Sequence, residues 1–161
     1  MEYSSSVLSK TTLPVLALAA FVESCMSPTA SSASPIRLQV SCTGTPSTLL
    51  LRDVPLGFVV QPAGATYAVA HDLQGIFAIS MVPRNGACAV SCGDDDTFVD
   101  PCHMGRWSAD GTLLETASDA TEDLPHLAVH MDGICDQSPI RVDAAPNAIE
   151  VDPTDRVSVA H

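Results

Sequence analysis

Six cysteines and five histidines are the residues of this chain best suited to chemistry. The cysteines are Cys25, Cys42, Cys88, Cys92, Cys102 and Cys135. Thiolates and imidazoles bind zinc or copper, and two cysteines can instead join in a disulfide. The spacing of these residues, and the elements that carry them, must decide between metal binding and cross-linking.

A metal site would draw on one group of sulfur and nitrogen ligands. Its candidate members are Cys88, Cys92, Cys102, His103, His126 and His130. Structural zinc usually takes two close ligand pairs, often two residues apart, whereas the first four candidates are separated by three, nine and zero residues. On the predicted strand, His126 and His130 would both face outward and would lie about 13 Å apart, so they could not share an ion. Zinc or copper binding is therefore the alternative interpretation, and disulfides are the first.

The disulfide interpretation involves Cys42, Cys88, Cys92, Cys102 and Cys135. Cys88 and Cys92 should not pair, because on a strand they are about 13 Å apart and a bridge needs Cα atoms about 4.4 to 6.8 Å apart. Cys92 and Cys102 flank an acidic stretch and are predicted to close it. Cys42 and Cys135 then compete for Cys88, and Cys25 joins the set only if it remains in the mature chain.

The acidic stretch itself is a candidate ligand-binding loop. The residues singled out there are Asp94, Asp95, Asp96, Asp100 and Trp107. Carboxylates bind calcium, although this run lacks the alternating acids and glycine of an EF-hand loop. Few strand signals occur between Gly93 and Asp123, so this stretch is predicted to be a long loop. The alternative is a solvated acidic loop with Trp107 folded back onto the core.

The N-terminal residues are predicted to form a targeting signal. Residues 13–22 read LPVLALAAFV, an apolar run too short to span a bilayer but of the length of a signal-peptide core. Residues 1–24 are therefore interpreted as a signal peptide, and the Ser/Thr/Pro-rich residues 25–35 as a tether. A buried helix or strand of the domain is the alternative interpretation of the apolar run.

The end of that segment resembles the lipobox of bacterial lipoproteins. Val22, Ser24 and Cys25 match the pattern, while Glu23 departs from it. The resemblance implies lipidation of Cys25 and a cell-surface lipoprotein. Ordinary secretion, with cleavage after a small residue near Ala33, stays equally open. Membrane attachment is expected only through a lipid on Cys25.

Charge excludes several partners. The net charge is −12, and the six arginines are scattered along the chain, so nucleic acid is excluded as a ligand. No lysine follows Lys10, which excludes lysine Schiff-base chemistry and a P-loop in the mature domain. Metal cations, basic partners and uncharged ligands remain compatible with this charge.

No local signature of catalysis is present. The sequence lacks G-x-S-x-G, HExxH and a glycine-rich phosphate loop. Catalytic triads do assemble from distant residues, so a small secreted hydrolase remains an alternative function. The first expectation is a protein that is not an enzyme and needs no cofactor, with zinc, copper or calcium as the alternative.

The elements that must position these residues are predicted to be strands. Short apolar runs, among them Thr66–His71, Ile76–Val82 and Thr112–Thr116, recur every 8 to 12 residues or so, broken by Gly, Pro, Asn and Asp, as in all-β folds. Residues 36–161 are therefore expected to form one antiparallel β-sandwich, Ig-like or jelly-roll-like, with little helix. The predicted function is that of an exported, disulfide-stabilised domain serving as an extracellular or cell-surface binding or structural module.

Overall fold

The structure is a computed structural model that describes residues 36–42, 46–84, 88–116, 121–145 and 148–159. The predicted signal peptide and tether, including Cys25, lie outside these residues. Among the described residues no helix is both long and apolar enough to cross a membrane.

Short strands dominate the described residues, with a single 3-10 turn at Leu51–Asp53. The strands are β1 (Gln39–Ser41), β2 (Leu49–Leu50), β3 (Phe58–Val60), β4 (Tyr67–Asp72), β5 (Gly75–Ser80), β6 (Ser91–Cys92), β7 (Thr97–Val99), β8 (Arg106–Ser108), β9 (Leu113–Glu115), β10 (His126–Leu127), β11 (Val129–Met131) and β12 (Pro139–Val142).

These strands form three sheets. Sheet A has the order β1-β3-β4-β5-β10, sheet B the order β11-β12-β2, and sheet C the order β6-β7-β8-β9. All pairings are antiparallel except that of β1 with β3, which is parallel. The prediction of an all-β, mainly antiparallel domain with little helix is confirmed.

Sheet A is buried on both faces. Successive residues of a strand point to opposite faces, so Phe77 and Ile79 of β5 enter one core while Ile76 and Ala78 enter another. The first core also contains Phe98 and Trp107 of sheet C. The second also contains Leu49 and Ile140 of sheet B. The expected two-sheet sandwich is not confirmed, because a central sheet here carries one sheet on each face.

The β4–β5 hairpin explains how the central sheet is built. The Asp72 carboxylate accepts hydrogen bonds from the backbone N–H groups of Gln74 at 2.7 Å and Gly75 at 3.0 Å, which fixes a tight turn. Gly75 has φ +138°, and a Cβ at this position would lie 2.2 Å from the carbonyl oxygen of Val157. Glycine therefore allows the C-terminal segment to pair with β5, through hydrogen bonds between Ile76 and Val157.

The stretch from Gly93 to Asp123 is not one long loop, and that prediction was wrong. It contains β7, β8 and β9, which pair consecutively as a meander. Trp107 has no exposed surface, and its Nε1 donates a hydrogen bond to the Glu122 carbonyl oxygen at 3.0 Å. Folding of Trp107 onto the core is therefore confirmed, but through a strand. β7 and β8 are only three residues long, too short to show a hydrophobic period in the sequence, whereas the run predicted as a strand at Thr112–Thr116 corresponds to β9.

Candidate functional site

A cleft of about 290 Å³ opens where the chain entering β1 faces sheet C. One wall is formed by Ile36, Arg37 and Leu38. The opposite wall comes from the β6–β7 turn, the β8–β9 turn and β9, and it includes Asp95, Asp96, Thr97, Ser108, Ala109, Asp110 and Leu114. We call these ten residues the acidic cleft.

The two walls are joined at three points. The Cys42–Cys92 disulfide links the end of β1 to β6, with Cα atoms 6.3 Å apart. The Val40 backbone N–H donates to Asp96 Oδ1 at 3.2 Å, and Arg37 Nη2 lies 3.6 Å from Asp96 Oδ2. A covalent bond, a hydrogen bond and an ion pair therefore set the width of the acidic cleft.

The carboxylates of the cleft are held by local turns. Asp96 has φ +56°, a left-handed conformation that Asp tolerates in a turn, and the Gly93 N–H closes the same turn on the Thr97 carbonyl at 2.7 Å. Burial tends to raise the pKa of Asp110, but hydrogen bonds from the Ser108 hydroxyl and from Thr112 outweigh it and lower the pKa. Asp110 is therefore ionised at neutral pH.

Charge in the cleft is unbalanced. Three carboxylates, those of Asp95, Asp96 and Asp110, line it against the single guanidinium of Arg37. Asp95 is mostly exposed and lies 3.4 Å from Arg106, which also contacts Glu115. The apolar residues Ile36 and Leu114 are partly exposed on the same surface, at 38% and 55%. The arrangement suits a ligand that carries both positive charge and aliphatic groups.

A second group of reactive residues lies at the β7–β8 turn. The Cys88–Cys102 disulfide, with Cα atoms 6.3 Å apart, sits beside the buried carboxylate of Asp100. Asp100 accepts a hydrogen bond from the Cys102 N–H at 2.7 Å and lies 3.0 Å from His103 Nδ1. Although burial acts to raise it, the pKa of Asp100 is lowered by these hydrogen bonds.

The predicted Cys92–Cys102 disulfide was wrong, whereas the absence of a Cys88–Cys92 bond is confirmed. The register of the β6–β7 hairpin gives the reason. Cys92 pairs with Phe98 and Ser91 with Val99, so Cys88 and Cys102 both lie just beyond the same end of the paired region. Cys88 is bonded to Cys102 and Cys92 to Cys42, so the expectation that Cys42 or Cys135 pairs with Cys88 was also wrong. Cys135 is also disulfide-bonded.

The six predicted metal ligands are only partly brought together. Among the described residues, one group of potential ligands comes within 4.8 Å of one another, and it consists of Cys88, Asp100 and Cys102. His103 contacts this group through Asp100. Cys92 belongs to the other disulfide.

The two remaining histidines have different surroundings. His130 is exposed on β11, as predicted. The expectation that His126 also faces outward was wrong, because it is buried on β10 with its Nε2 3.1 Å from the Asp110 carbonyl oxygen. Its ring stacks on Phe77 at 5.4 Å. The predicted single strand is interrupted at Ala128, where the chain passes from sheet A to sheet B, so one alternation does not cover both histidines.

The five predicted loop residues are divided between the acidic cleft, the second disulfide and the core. Asp95 and Asp96 line the cleft, and Asp94 is exposed in the same turn. Asp100 supports the β7–β8 turn, and Trp107 lies in the core.

Several cleft residues could not be predicted from the sequence, among them Arg37, Asp110 and Leu114. Arg37 precedes β1, whereas Asp110 and Leu114 belong to the β8–β9 hairpin, and the packing of sheet A on sheet C brings these two segments to one surface.

No known protein family has a model that matches this chain. Among curated proteins none matches it at a significant level.

Proposed function

We propose that this protein is an exported, disulfide-stabilised binding module whose acidic cleft takes a basic, partly aliphatic peptide segment. The observation that carries the proposal is a cleft with three carboxylates and exposed apolar residues, whose two walls are tied by a disulfide.

Charge complementarity selects the class of ligand. The chain carries a net charge of −12, which steers cations toward the surface and disfavours anionic polymers. Lysine and arginine side chains combine a positive head with an aliphatic stem. Such a side chain can place its head against Asp95 or Asp110 while its stem covers Leu114.

The fixed walls favour binding in a second way. A ligand that must order a loose loop loses part of its binding free energy to that ordering. The Cys42–Cys92 bond and the Asp96 side chain already hold the β1 wall against sheet C. Little ordering of the protein then accompanies binding.

The disulfides support the exported location. Disulfides persist in oxidising compartments and are rare in the cytosol, and the predicted signal peptide agrees with that environment. Intact mass of the mature protein under non-reducing conditions tests this part of the proposal. Loss of an N-terminal signal and fully oxidised cysteines support export, while an intact N-terminus with reduced thiols contradicts it.

Calorimetric titration tests the ligand. The probe is a capped pentapeptide of alternating leucine and lysine, compared with a peptide in which glutamate replaces each lysine. The lysine peptide is expected to bind, with an affinity that falls as salt is added, and the glutamate peptide is not.

Two charge-reversal variants locate the binding. Asp95→Lys should weaken binding of the lysine peptide by about tenfold, because it replaces attraction in the cleft with repulsion. Asp155→Lys makes the same change at an exposed acid outside the cleft and should have little effect. Equal losses in the two variants, or equal binding of the two peptides, would contradict the proposed ligand.

A further inference from the structure

The cluster of Cys88, Asp100 and Cys102, which we call the sulfur–carboxylate cluster, has a second chemical use. Its potential ligand atoms all lie within 4.8 Å of one another. In the oxidised chain the two sulfurs are joined to each other. Once reduced, the same three side chains offer two thiolates and a carboxylate at one point.

We propose that the reduced sulfur–carboxylate cluster binds a divalent metal ion of the zinc class, and that the Cys88–Cys102 disulfide closes this site. The protein would thus bind the ion only in its reduced form. The site does not depend on the acidic cleft, which is formed by other residues.

The separation of the ligand atoms suits one ion. Zinc binds thiolate sulfur at about 2.3 Å and carboxylate oxygen at about 2.0 to 2.2 Å, so ligands of one ion lie within about 4.6 Å of one another. The cluster lies within 4.8 Å, close to that limit. Its two sulfurs are bonded to each other, so after reduction rotation about the cysteine side chains must move them apart to the spacing of two ligands of one ion. Three protein ligands with a fourth position for water is a known arrangement for zinc.

Asp100 is held in place as a ligand. Its residue is 3% exposed, one carboxylate oxygen accepts the Cys102 N–H, and the other contacts His103. Each carboxylate oxygen has two lone-pair directions, so these contacts leave capacity for a metal ion. A histidine bonded to a ligating carboxylate fixes its orientation, as outer partners do in many metal sites.

The disulfide is open to a reductant. Cys102 is exposed and Cys88 is half-buried. One thiolate of a small dithiol attacks a sulfur of the bond and forms a mixed disulfide. The second thiolate of the dithiol then attacks that mixed disulfide and releases the cysteine. The Cys88–Cys102 bond breaks, a disulfide forms in the reductant, and two electrons with two protons pass to the cysteines. The metal ion then replaces those two protons.

Cobalt binding tests the site, with the full chain and anaerobic conditions. Cobalt(II) is added to oxidised protein and to protein reduced with a phosphine, and the sulfur-to-cobalt charge-transfer band is recorded together with the circular dichroism spectrum. One cobalt ion per chain is expected in the reduced protein and none in the oxidised protein.

Variants assign the ligands. Cys88→Ser/Cys102→Ser should abolish the band, while the matched control Cys42→Ser/Cys92→Ser should keep it. Asp100→Asn should weaken binding by at least about tenfold, the usual size of such losses around metal sites.

Three results would overturn the proposal. The first is a folded, reduced chain without a cobalt–sulfur band. The second is a band lost in the Cys42/Cys92 variant and kept in the Cys88/Cys102 variant. The third is a chain that unfolds on reduction and binds no cobalt, because the cluster needs the β6–β7 hairpin to bring its members together.

Discussion

The two faces of sheet A differ in how they are held. The face toward sheet C packs the large aromatic side chains Phe77, Phe98 and Trp107, and the Cys42–Cys92 disulfide fastens sheet C to β1. The face toward sheet B packs aliphatic side chains, among them Leu49 and Ile140.

The acidic cleft and the sulfur–carboxylate cluster both lie on the side of sheet C. The strands of sheet C are only two or three residues long and give few ladder hydrogen bonds. Cross-links and aromatic packing compensate for this shortness. Sheet B has strands of similar length, so the sheet C side is distinguished by its aromatic core and by the disulfides Cys42–Cys92 and Cys88–Cys102 beside the two candidate sites.

The largest expected effect is at the aromatic core. Trp107→Ala removes a fully buried side chain and its hydrogen bond to Glu122, and should lower the free energy of unfolding by about 3 to 5 kcal/mol. Chemical denaturation followed by circular dichroism measures this loss. Ile149→Ala, at a residue 80% exposed, is the control and should change little. A loss in the free energy of unfolding below about 1 kcal/mol is usual for a surface substitution. Such a small loss in Trp107→Ala would mean that packing on the sheet C face contributes little to stability.

The two disulfides should differ in their contributions. Cys42 and Cys92 are 50 residues apart and Cys88 and Cys102 are 14 apart, so the first disulfide closes a much longer loop in the unfolded chain and its removal frees more conformations. The chain-entropy estimate gives a loss of about 4 kcal/mol for Cys42→Ser/Cys92→Ser and about 3 kcal/mol for Cys88→Ser/Cys102→Ser. Thermal and urea unfolding of the two variants measures the stability that each disulfide contributes. The reverse order would show that the link between sheet C and β1 is not the stronger constraint.

Acid should lower the free energy of unfolding through His126, whose ring stacks on Phe77 of the sheet C face. Burial is the main cause that lowers the pKa of His126, and the positive charge of Arg156 adds to it. The unfolded chain then takes up a proton near the ordinary histidine pKa of about 6.5, before the folded chain does. The stabilisation is therefore fully present above that value and is lost as the pH falls below it toward the lower pKa of the folded state.

Urea unfolding between pH 8 and pH 5 measures this loss. The decline should be smaller in His126→Gln, which removes the titrating group. His130→Gln changes an exposed histidine and is the control. A decline that His130→Gln reduces and His126→Gln does not would contradict the assignment.

The smallest expected effect is at the surface. Arg84 forms ion pairs with Glu122 and Glu150, and its side chain is 52% exposed. A double-mutant cycle with Arg84→Ala and Glu150→Ala should give a coupling free energy of about 0 to 1 kcal/mol, and added salt should reduce it. A coupling well above that range would give this pair a role comparable to a disulfide.

The sequence supports correct predictions where a strand is long and apolar. The runs at Thr66–His71 and Ile76–Val82 correspond to β4 and β5, because buried strands of the central sheet are continuously hydrophobic. In sheet C the strands are short, and their pairing joins residues whose relation is not visible locally. Phe98 and Trp107 pair across β7 and β8, and that contact turns a predicted loop into a meander.

The site was only partly predictable for the same reason. The local run of Asp95 and Asp96 pointed to one of the turns that line the cleft, but Arg37 and Asp110 come from distant segments that only the packing of sheet A on sheet C brings together. The disulfides show this most clearly. The β6–β7 register leaves Cys88 and Cys102 beyond the same end of the hairpin, where they form a disulfide, whereas spacing alone favoured Cys92 as the partner of Cys102.

Amide chemical-shift mapping with the leucine–lysine peptide shows directly whether the acidic cleft is the binding site. Saturable shifts are expected at residues 36–38, 95–97, 108–110 and 114 in the oxidised protein, together with weaker binding in Cys42→Ser/Cys92→Ser. Shifts confined to sheet B, or an absence of shifts at millimolar peptide, would contradict a preformed cationic-peptide site between β1 and sheet C.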